Sequence, residues 1–348
     1  MDNILIGKRL VGPGHPAFII AEAGSNHDRD LGQAKKLIDV AVEAGADAVK
    51  FQTFQADKIA AQTEDEIMKL GNEYEGVPTL YKLYEGLELP REWQAELAEY
   101  ACQKDIIFLS TPFDYEAVEQ LEELNMATYK IASFEMVDIP FLKYVARKGK
   151  PVILSTGMAN LGEIEEALNA IYSEGNRQVI LLHCGISYPM PIEQVNLAAM
   201  DTMRQAFQVP IGYSDHTLGI TVPVAAVARG ACVIEKHFTI DCNLKGPDHK
   251  FALNPEELKA MVQGIREAEQ AIGSPLKKLA KTEVLHHQRG RRSVFARVNI
   301  PQGTVITEDM LAVLRPGIGL MPKYFELVIG REARRNIKAH EPITWDKI

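Results

Sequence analysis

Eight short apolar runs, each followed by a stretch of helical period, constrain this chain more than any other feature. They are Phe18 to Ala21, Ala46 to Phe51, Ile106 to Leu109, Ala127 to Ile131, Pro151 to Leu154, Val179 to Leu182, Pro210 to Tyr213 and Cys232 to Ile234. Amphipathic segments follow or separate them, among them Gly32 to Glu43, Glu92 to Gln103, Leu161 to Tyr172 and Pro255 to Ala271. One such run is ambiguous between strand and buried helix, but eight in alternation with helices predict an α/β chain with a parallel sheet. Its simplest closed form is a (β/α)8 TIM barrel, in which functional groups gather at the C-terminal strand ends. Polar residues do close every run: Glu22; Lys50 and Gln52; Ser110 and Thr111; Lys130 and Ser133; Ser155 and Thr156; His183; Ser214, Asp215 and His216; Glu235 and His237. An open doubly wound sheet would instead concentrate them at one switch point, after a glycine-rich first turn.

The pattern changes beyond Ala271. Residues 272–290 are basic and aperiodic, and they read as a linker between a barrel of residues 1–271 and a small β-rich domain of residues 291–348. About 58 residues make a marginal core, so the small domain is expected to pack on a barrel, its own or a partner subunit's. With 38 Lys and Arg against 47 Asp and Glu, the formal charge of −9 disfavours nucleic acid as a partner. No run of about 18 apolar residues predicts a membrane span. No secretory signal is evident, and the four cysteines form no framework, so a reduced cytoplasmic setting is expected.

His216 and His237 fall at neighbouring strand ends, about 5 Å apart in a parallel sheet. Two such imidazoles can share a divalent ion that polarises a carbonyl or activates water; the plainer alternative is that each caps its strand by bonding to backbone. Lys50 and Lys130 follow apolar strand residues, and lysine is seldom buried without a partner. They point to an anion or a Schiff base, or else to pairing with acids such as Glu22 or Glu135. Ser133, Ser155 and Thr156 add hydroxyls suited to a phosphate or carboxylate. His15, His249 and the pair His286-His287 read as structural or surface histidines, while His27, in the loop after Glu22, stays open between the two readings.

In order along the chain, several motifs resemble the sialic acid synthase family, which includes pseudaminate, legionaminate and spore-coat polysaccharide relatives. They are Ile20-Ala21-Glu22-Ala23-Gly24-Ser25-Asn26-His27, Val49-Lys50-Phe51-Gln52-Thr53, Ser110-Thr111-Pro112-Phe113-Asp114 and Tyr129-Lys130-Ile131-Ala132-Ser133. Ser155-Thr156-Gly157-Met158, His183-Cys184 with Tyr188-Pro189, Gly212 to Thr217, Ile234 to Thr239 and Gly246-Pro247-Asp248-His249 continue the set. The end of the chain, with Arg315-Pro316-Gly317, resembles the antifreeze-like (SAF) domain that follows the barrel in that family.

The resemblance implies condensation of phosphoenolpyruvate with an N-acylamino sugar and water, giving a nonulosonic acid and phosphate. It implies that His216 and His237 hold a divalent metal, typically Mn2+ with Mg2+ or Co2+ as alternatives, and that Glu22 is the acid/base. Lys50, Thr111, Lys130, Ser133 and Ser155 would then bind phosphoenolpyruvate. Gln52, Tyr188 and Asp248 would face the sugar, with Glu235 also on the substrate-binding side. Arg315 would reach the acylamino group in a neighbouring subunit's pocket, which implies a domain-swapped homodimer. Phe134 stands as in pseudaminic acid synthases, and Gly246 to Leu253 as in neuraminate and legionaminate synthases, so the sugar stays open. Two rival readings remain: a metal-free aldolase with a Schiff base on Lys130, and a catalytically silent carbohydrate-binding protein.

Overall fold

The computed structural model describes residues 2–71 and 76–348. Two short strands open it, β1 (Ile4–Ile6) and β2 (Arg9–Val11), paired antiparallel around a turn in which Gly7 takes φ 58°. Sequence reading did not anticipate this hairpin, whose signal was the alternation of Ile4 and Ile6 about an exposed Leu5.

Eight parallel strands follow: β3 (Phe18–Gly24), β4 (Ala48–Thr53), β5 (Ile107–Pro112), β6 (Tyr129–Ile131), β7 (Val152–Ser155), β8 (Val179–Cys184), β9 (Ile211–Asp215) and β10 (Val233–His237). They hydrogen-bond in the order β5-β4-β3-β10-β9-β8-β7-β6, and β5 and β6 lie side by side to complete the circle. This is the expected (β/α)8 barrel. Most strands run a few residues further than their apolar cores, because the polar residues at the mouth remain in the ladder. Thus His237 stands opposite Glu22, Glu22 opposite Lys50, and Gln52 opposite Thr111.

The helices start and stop where local chemistry says they should. Asp30 accepts the Gln33 amide to begin the helix Leu31–Ala44, and Gly45, left-handed at φ 80°, ends it. Capping boxes at Asn160/Glu163 and Asn254/Glu257 begin Leu161–Ser173 and Pro255–Ile272. Each lies within a residue or two of its expected span.

The pleat sorts two cores. Outward residues such as Ile19, Ala21, Val49, Leu154, Leu181 and Ile234 are buried under the helices. Inward Phe18, Ile20, Ala48, Leu109, Ile153, Ile180, Leu182 and Val233 fill the lower barrel, where Ile4, Ile6 and Val11 of the hairpin pack on them. With that end filled by side chains, the inward positions at the other end are left for polar groups.

The chain divides into compact units at Gly273/Ser274. The second unit holds a three-residue turn at Lys281–Glu283 and a short helix Val284–Gly290 within the segment read as an aperiodic linker. Beyond it β11 (Ser293–Ala296) pairs antiparallel with β12 (Leu311–Leu314), and isolated bridges such as Ile300 with Ile337 extend the pairing. Val294, Ile306, Val328, Ile337 and Ile343 are wholly buried in a core of its own.

Candidate active site

At the C-terminal mouth of the barrel a cleft of about 400 Å³ is lined by inward residues from β3 through β10. Glu22, Lys50, Gln52, Thr111, Lys130, Ser133, Ser155, Tyr188, His216, Glu235 and His237 all reach it. Eleven of the thirteen candidate residues therefore meet in one place. Of the other two, Asp248 approaches through His237, and Arg315 belongs to the second unit, where its Nε donates to the Gly290 carbonyl at 2.7 Å.

Two lysines and two glutamates form its charged centre, all nearly inaccessible to solvent. Lys50 Nζ lies 2.6 Å from Glu22 Oε2 and 3.7 Å from Glu235 Oε2, and donates to Thr111 Oγ1 at 3.0 Å. Lys130 Nζ lies 3.5 Å from Glu235 Oε1, which also accepts from Ser214 Oγ at 3.0 Å. Gln52 Nε2 donates to Glu22 Oε1 at 2.9 Å. Lysine–acid pairing is thus present as the plainer reading had it, with Glu22 and Glu235 as the partners. Yet these lysines line an open cleft rather than a sealed core.

The two carboxyls are driven apart. Burial pushes Glu22 up to about 7, with Lys50 opposing and Glu235 reinforcing the shift. Burial also works to raise Glu235, but Lys130 and Lys50 outweigh it and hold that group below the usual carboxylate range. Near neutrality the cleft therefore offers one carboxyl able to carry a proton and one that stays ionised, the division that acid/base chemistry requires. Burial lowers the Lys130 ammonium, whereas for Lys50 it is overcome by Glu22 and Glu235, which raise it.

In the same cleft the ring centres of His216 and His237 are 5.4 Å apart, with Tyr188 at 4.3 Å from the first and 6.2 Å from the second. Burial keeps both imidazoles neutral. His216 Nδ1 lies 2.7 Å from the Gly185 carbonyl, an acceptor only, so the proton sits on Nδ1 and Nε2 carries the lone pair. His237 Nδ1 is buried with no hydrogen-bond partner, as is Ser155 Oγ. Two neutral imidazoles, one with Nε2 freed by a backbone carbonyl, fit a divalent cation. Among the described residues no group of three or more His, Cys, Asp or Glu side chains is arranged to hold a metal. A cation here would rest on two protein ligands and leave its other positions to substrate and water.

Several polar strand-end residues face the other way, because consecutive residues on a strand point to opposite sides. Asp215 is buried on the outer side with Lys236, 2.5 Å away, and accepts the Thr217 amide and hydroxyl at 3.1 and 3.0 Å. Asp215 is thus absent from the cleft lining, although Ser214 and His216 on either side of it reach the cleft. His183 contacts the Val195 carbonyl at 2.8 Å, and the Ser110 hydroxyl lies 2.7 Å from that of Thr53. Thr156 donates to the Leu182 carbonyl at 2.9 Å. His249 is structural as expected, held between Thr239 Oγ1 at 2.7 Å and the Asp28 carboxylate at 3.0 Å. His27 is buried and accepts the Arg29 amide on Nδ1 at 3.0 Å, which resolves it as structural too.

Ser214, already placed at the seventh strand end, and Phe134, already singled out in the sequence, also line the cleft, together with Phe113, Ala132, Cys184 and Ile186. The register pairs Ser214 with Glu235 and Cys184 with Ser214, so counting inward positions along β8 and β9 identifies both.

Residues 37–277 match the NeuB family, and residues 291–348 match the SAF domain. The N,N'-diacetyllegionaminic acid synthase of Campylobacter jejuni is 44% identical over 332 residues, spanning 94% of this chain and 98% of its own. The pseudaminic acid synthase of Helicobacter pylori is 36% identical, over 96% of this chain and 98% of its own. A solved N-acetylneuraminic acid synthetase from Leptospira borgpetersenii shares 35% identity and a TM-score of 0.74, over 82% of this chain and 95% of its own. With its barrel, its polar mouth and these matches, the chain belongs to the NeuB family and carries a C-terminal SAF domain.

Proposed function

We propose that the cleft condenses phosphoenolpyruvate with the aldehyde of an N-acylamino sugar, releasing phosphate and a nonulosonic acid. The observation that carries this reading is two buried lysines, Lys50 against a protonatable Glu22 and Lys130 against Glu235, in one cleft with two neutral imidazoles. The names of the relatives support it, since legionaminic, pseudaminic and N-acetylneuraminic acids are the products those proteins are named for.

Lys50, Thr111, Lys130, Ser133 and Ser155 bind the phosphate and carboxylate of phosphoenolpyruvate, replacing water with fixed donors. Its C3 attacks the aldehyde carbon, forming the new C–C bond while the aldehyde oxygen gains negative charge. Glu22, protonated near neutrality, delivers the proton that this oxygen requires. C2 of the former enol becomes cationic, and water adds there with loss of a proton to the Glu22 carboxylate. The C2–O bond to phosphate then breaks as the C2 hydroxyl gives its proton to the departing phosphate, which leaves the keto acid, so water supplies the oxygen kept at C2. Glu235 stays ionised between the lysines and orients both. Gln52, Tyr188 and Asp248 face the sugar. A divalent cation held by His216 and His237, Mn2+ above Mg2+ or Co2+, supplies Lewis-acid polarisation of the aldehyde. The same reading assigns Arg315 to the acylamino group of a sugar bound by a partner subunit in a homodimer. No described helix is long and apolar enough to cross a membrane, and the reading places the reaction in the cytoplasm.

The test is phosphate release from phosphoenolpyruvate with Mn2+, offered N-acetylmannosamine, a 2,4-diacetamido hexose or no sugar, each repeated after chelation. Release that needs both sugar and metal is the expected result, and the better substrate names the acceptor. Chelator-insensitive turnover with borohydride trapping of pyruvate on Lys130 would replace this reading by the aldolase. Sugar binding with no turnover under any metal would replace it by the binding protein.

A further inference from the structure

The His237 ring is enclosed by groups that the scheme above gives no structural task. Gly24, at the bulged end of β3, has φ 53°, and a Cβ there would come within 2.9 Å of Asp248 Oδ2 and 3.2 Å of His237 Cε1. Phe251, buried, meets the His237 ring nearly edge-on with centres 5.1 Å apart, and lies 5.3 Å from Tyr188. Asp248 Oδ2 is 3.7 Å from His237 Nδ1, the buried nitrogen with no hydrogen-bond partner.

The two imidazoles are therefore supported differently. His216 has a backbone carbonyl on Nδ1, whereas His237 has only a carboxylate within reach. An imidazole that presents Nε2 to a cation keeps its proton on Nδ1, and a buried N–H without an acceptor is costly. The loop that carries Asp248 is itself fixed. His249 ties it to Asp28 and Thr239, and the Leu253 amide donates to the His237 carbonyl at 3.0 Å.

We propose that Asp248 is the positioning residue of His237. Its Oδ2 accepts the Nδ1–H, fixes the tautomer and ring plane that leave Nε2 free for a divalent cation, and uses Gly24 and Phe251 as the seat of the ring. This rests on the metal reading above and adds a second task to a residue placed there beside the sugar.

The full-length protein, stripped with chelator, is titrated with Mn2+ in a calorimeter as wild type, Asp248→Ala, Asp248→Asn and Gly24→Ala. In parallel, 15N-histidine NMR of the metal-free protein reads the His237 tautomer. Wild type is expected to show Nδ1–H and to bind Mn2+. Asp248→Ala should lose the tautomer preference and bind Mn2+ about 10–100-fold more weakly. Asp248→Asn, whose amide oxygen still accepts, should stay within about threefold of wild type by the same logic. Gly24→Ala, pressing on the same carboxylate and ring from the other side, should weaken Mn2+ binding too, and it stands in for Asp248→Ala if that variant fails to fold. Unchanged Mn2+ affinity in Asp248→Ala, with only a raised KM for the sugar, would overturn the proposal, as would equal weakening in Asp248→Asn and Asp248→Ala. A wild type with Nδ1–H that binds no divalent cation would sink the metal reading and leave the orienting role of Asp248 standing.

Discussion

At the barrel mouth, buried lysine–carboxylate pairs lie on both sides of the sheet, and they are built on opposite plans. Asp215 and Lys236 point outward under the helices, at 0% and 1% exposure, and are closed off by Thr217, which gives Asp215 two donors and accepts from Lys236. Glu22 and Lys50 point inward, just as inaccessible, but share the cleft with Ser155 Oγ, which has no partner. Both arrangements cost desolvation. The outer pair is complete in the free protein, whereas the inner one is completed by what enters the cleft. Buried charge alone therefore does not mark the site, and neither does an unsatisfied polar atom, since Gln94 Oε1 and Thr344 Oγ1 lack partners elsewhere; the two together at the barrel mouth do.

Replacing either lysine tests this contrast. Lys50→Met should lower kcat/KM at least about 1,000-fold, roughly 4 kcal/mol of transition-state stabilisation, as measured by phosphate release. Its stability should change little, because Glu22, already pushed up to about 7, relieves its loss of a counter-ion by taking a proton. Lys236→Met strips the sealed-in Asp215 of its buried counter-ion, and urea unfolding should show a loss of about 3–5 kcal/mol. A Lys50→Met protein as unstable as Lys236→Met would end the distinction between the pairs.

Sequence periodicity revealed the eight strands, because runs such as Val179 to Leu182 are buried on both faces and look alike in any parallel sheet. It also located the polar ends. It did not say which way each polar residue points, and so Asp215 and His183 were grouped with the inward set. Alternation held the answer: Lys50 and Gln52 share a face, as do Glu235 and His237, while Lys236 between the latter two faces out. What no pattern in one strand discloses is that Lys236 finds Asp215 across the ladder, or that Asp248 arrives beside His237 from a loop.

His27 sharpens the contrast with a buried group satisfied in only one protonation state. Its Nδ1 accepts the Arg29 amide, and burial pushes its pKa from 6.5 down to about 4. The unfolded chain thus takes up a proton before the folded one does. The stability held above about pH 6.5 is lost as pH falls from there towards 4, by about 3 kcal/mol in total. Urea midpoints at pH 7.5 and 4.5, for wild type against His27→Gln, isolate this contribution. An identical pH dependence in both proteins would remove His27 from the account.

Ser155 and Thr156 repeat the inner and outer plans in adjacent residues. Thr156 Oγ1 donates to the Leu182 carbonyl, which the Thr156 amide also reaches at 3.0 Å, so Thr156→Val removes one of two donors and should cost at most about 1 kcal/mol with little change in turnover. Ser155 Oγ faces the cleft without a partner, so Ser155→Ala removes a buried polar group that the free protein leaves unsatisfied. Stability should hold or rise slightly, while the KM for phosphoenolpyruvate rises about tenfold, the value of one hydrogen bond to a charged ligand. The small size of both effects makes the pair informative: neither residue sits in a charge network, so the difference isolates facing from chemistry. If Ser155→Ala lost stability and kept its KM, the Ser155 hydroxyl would belong to the fold, and a missing partner would no longer identify a residue that waits for substrate.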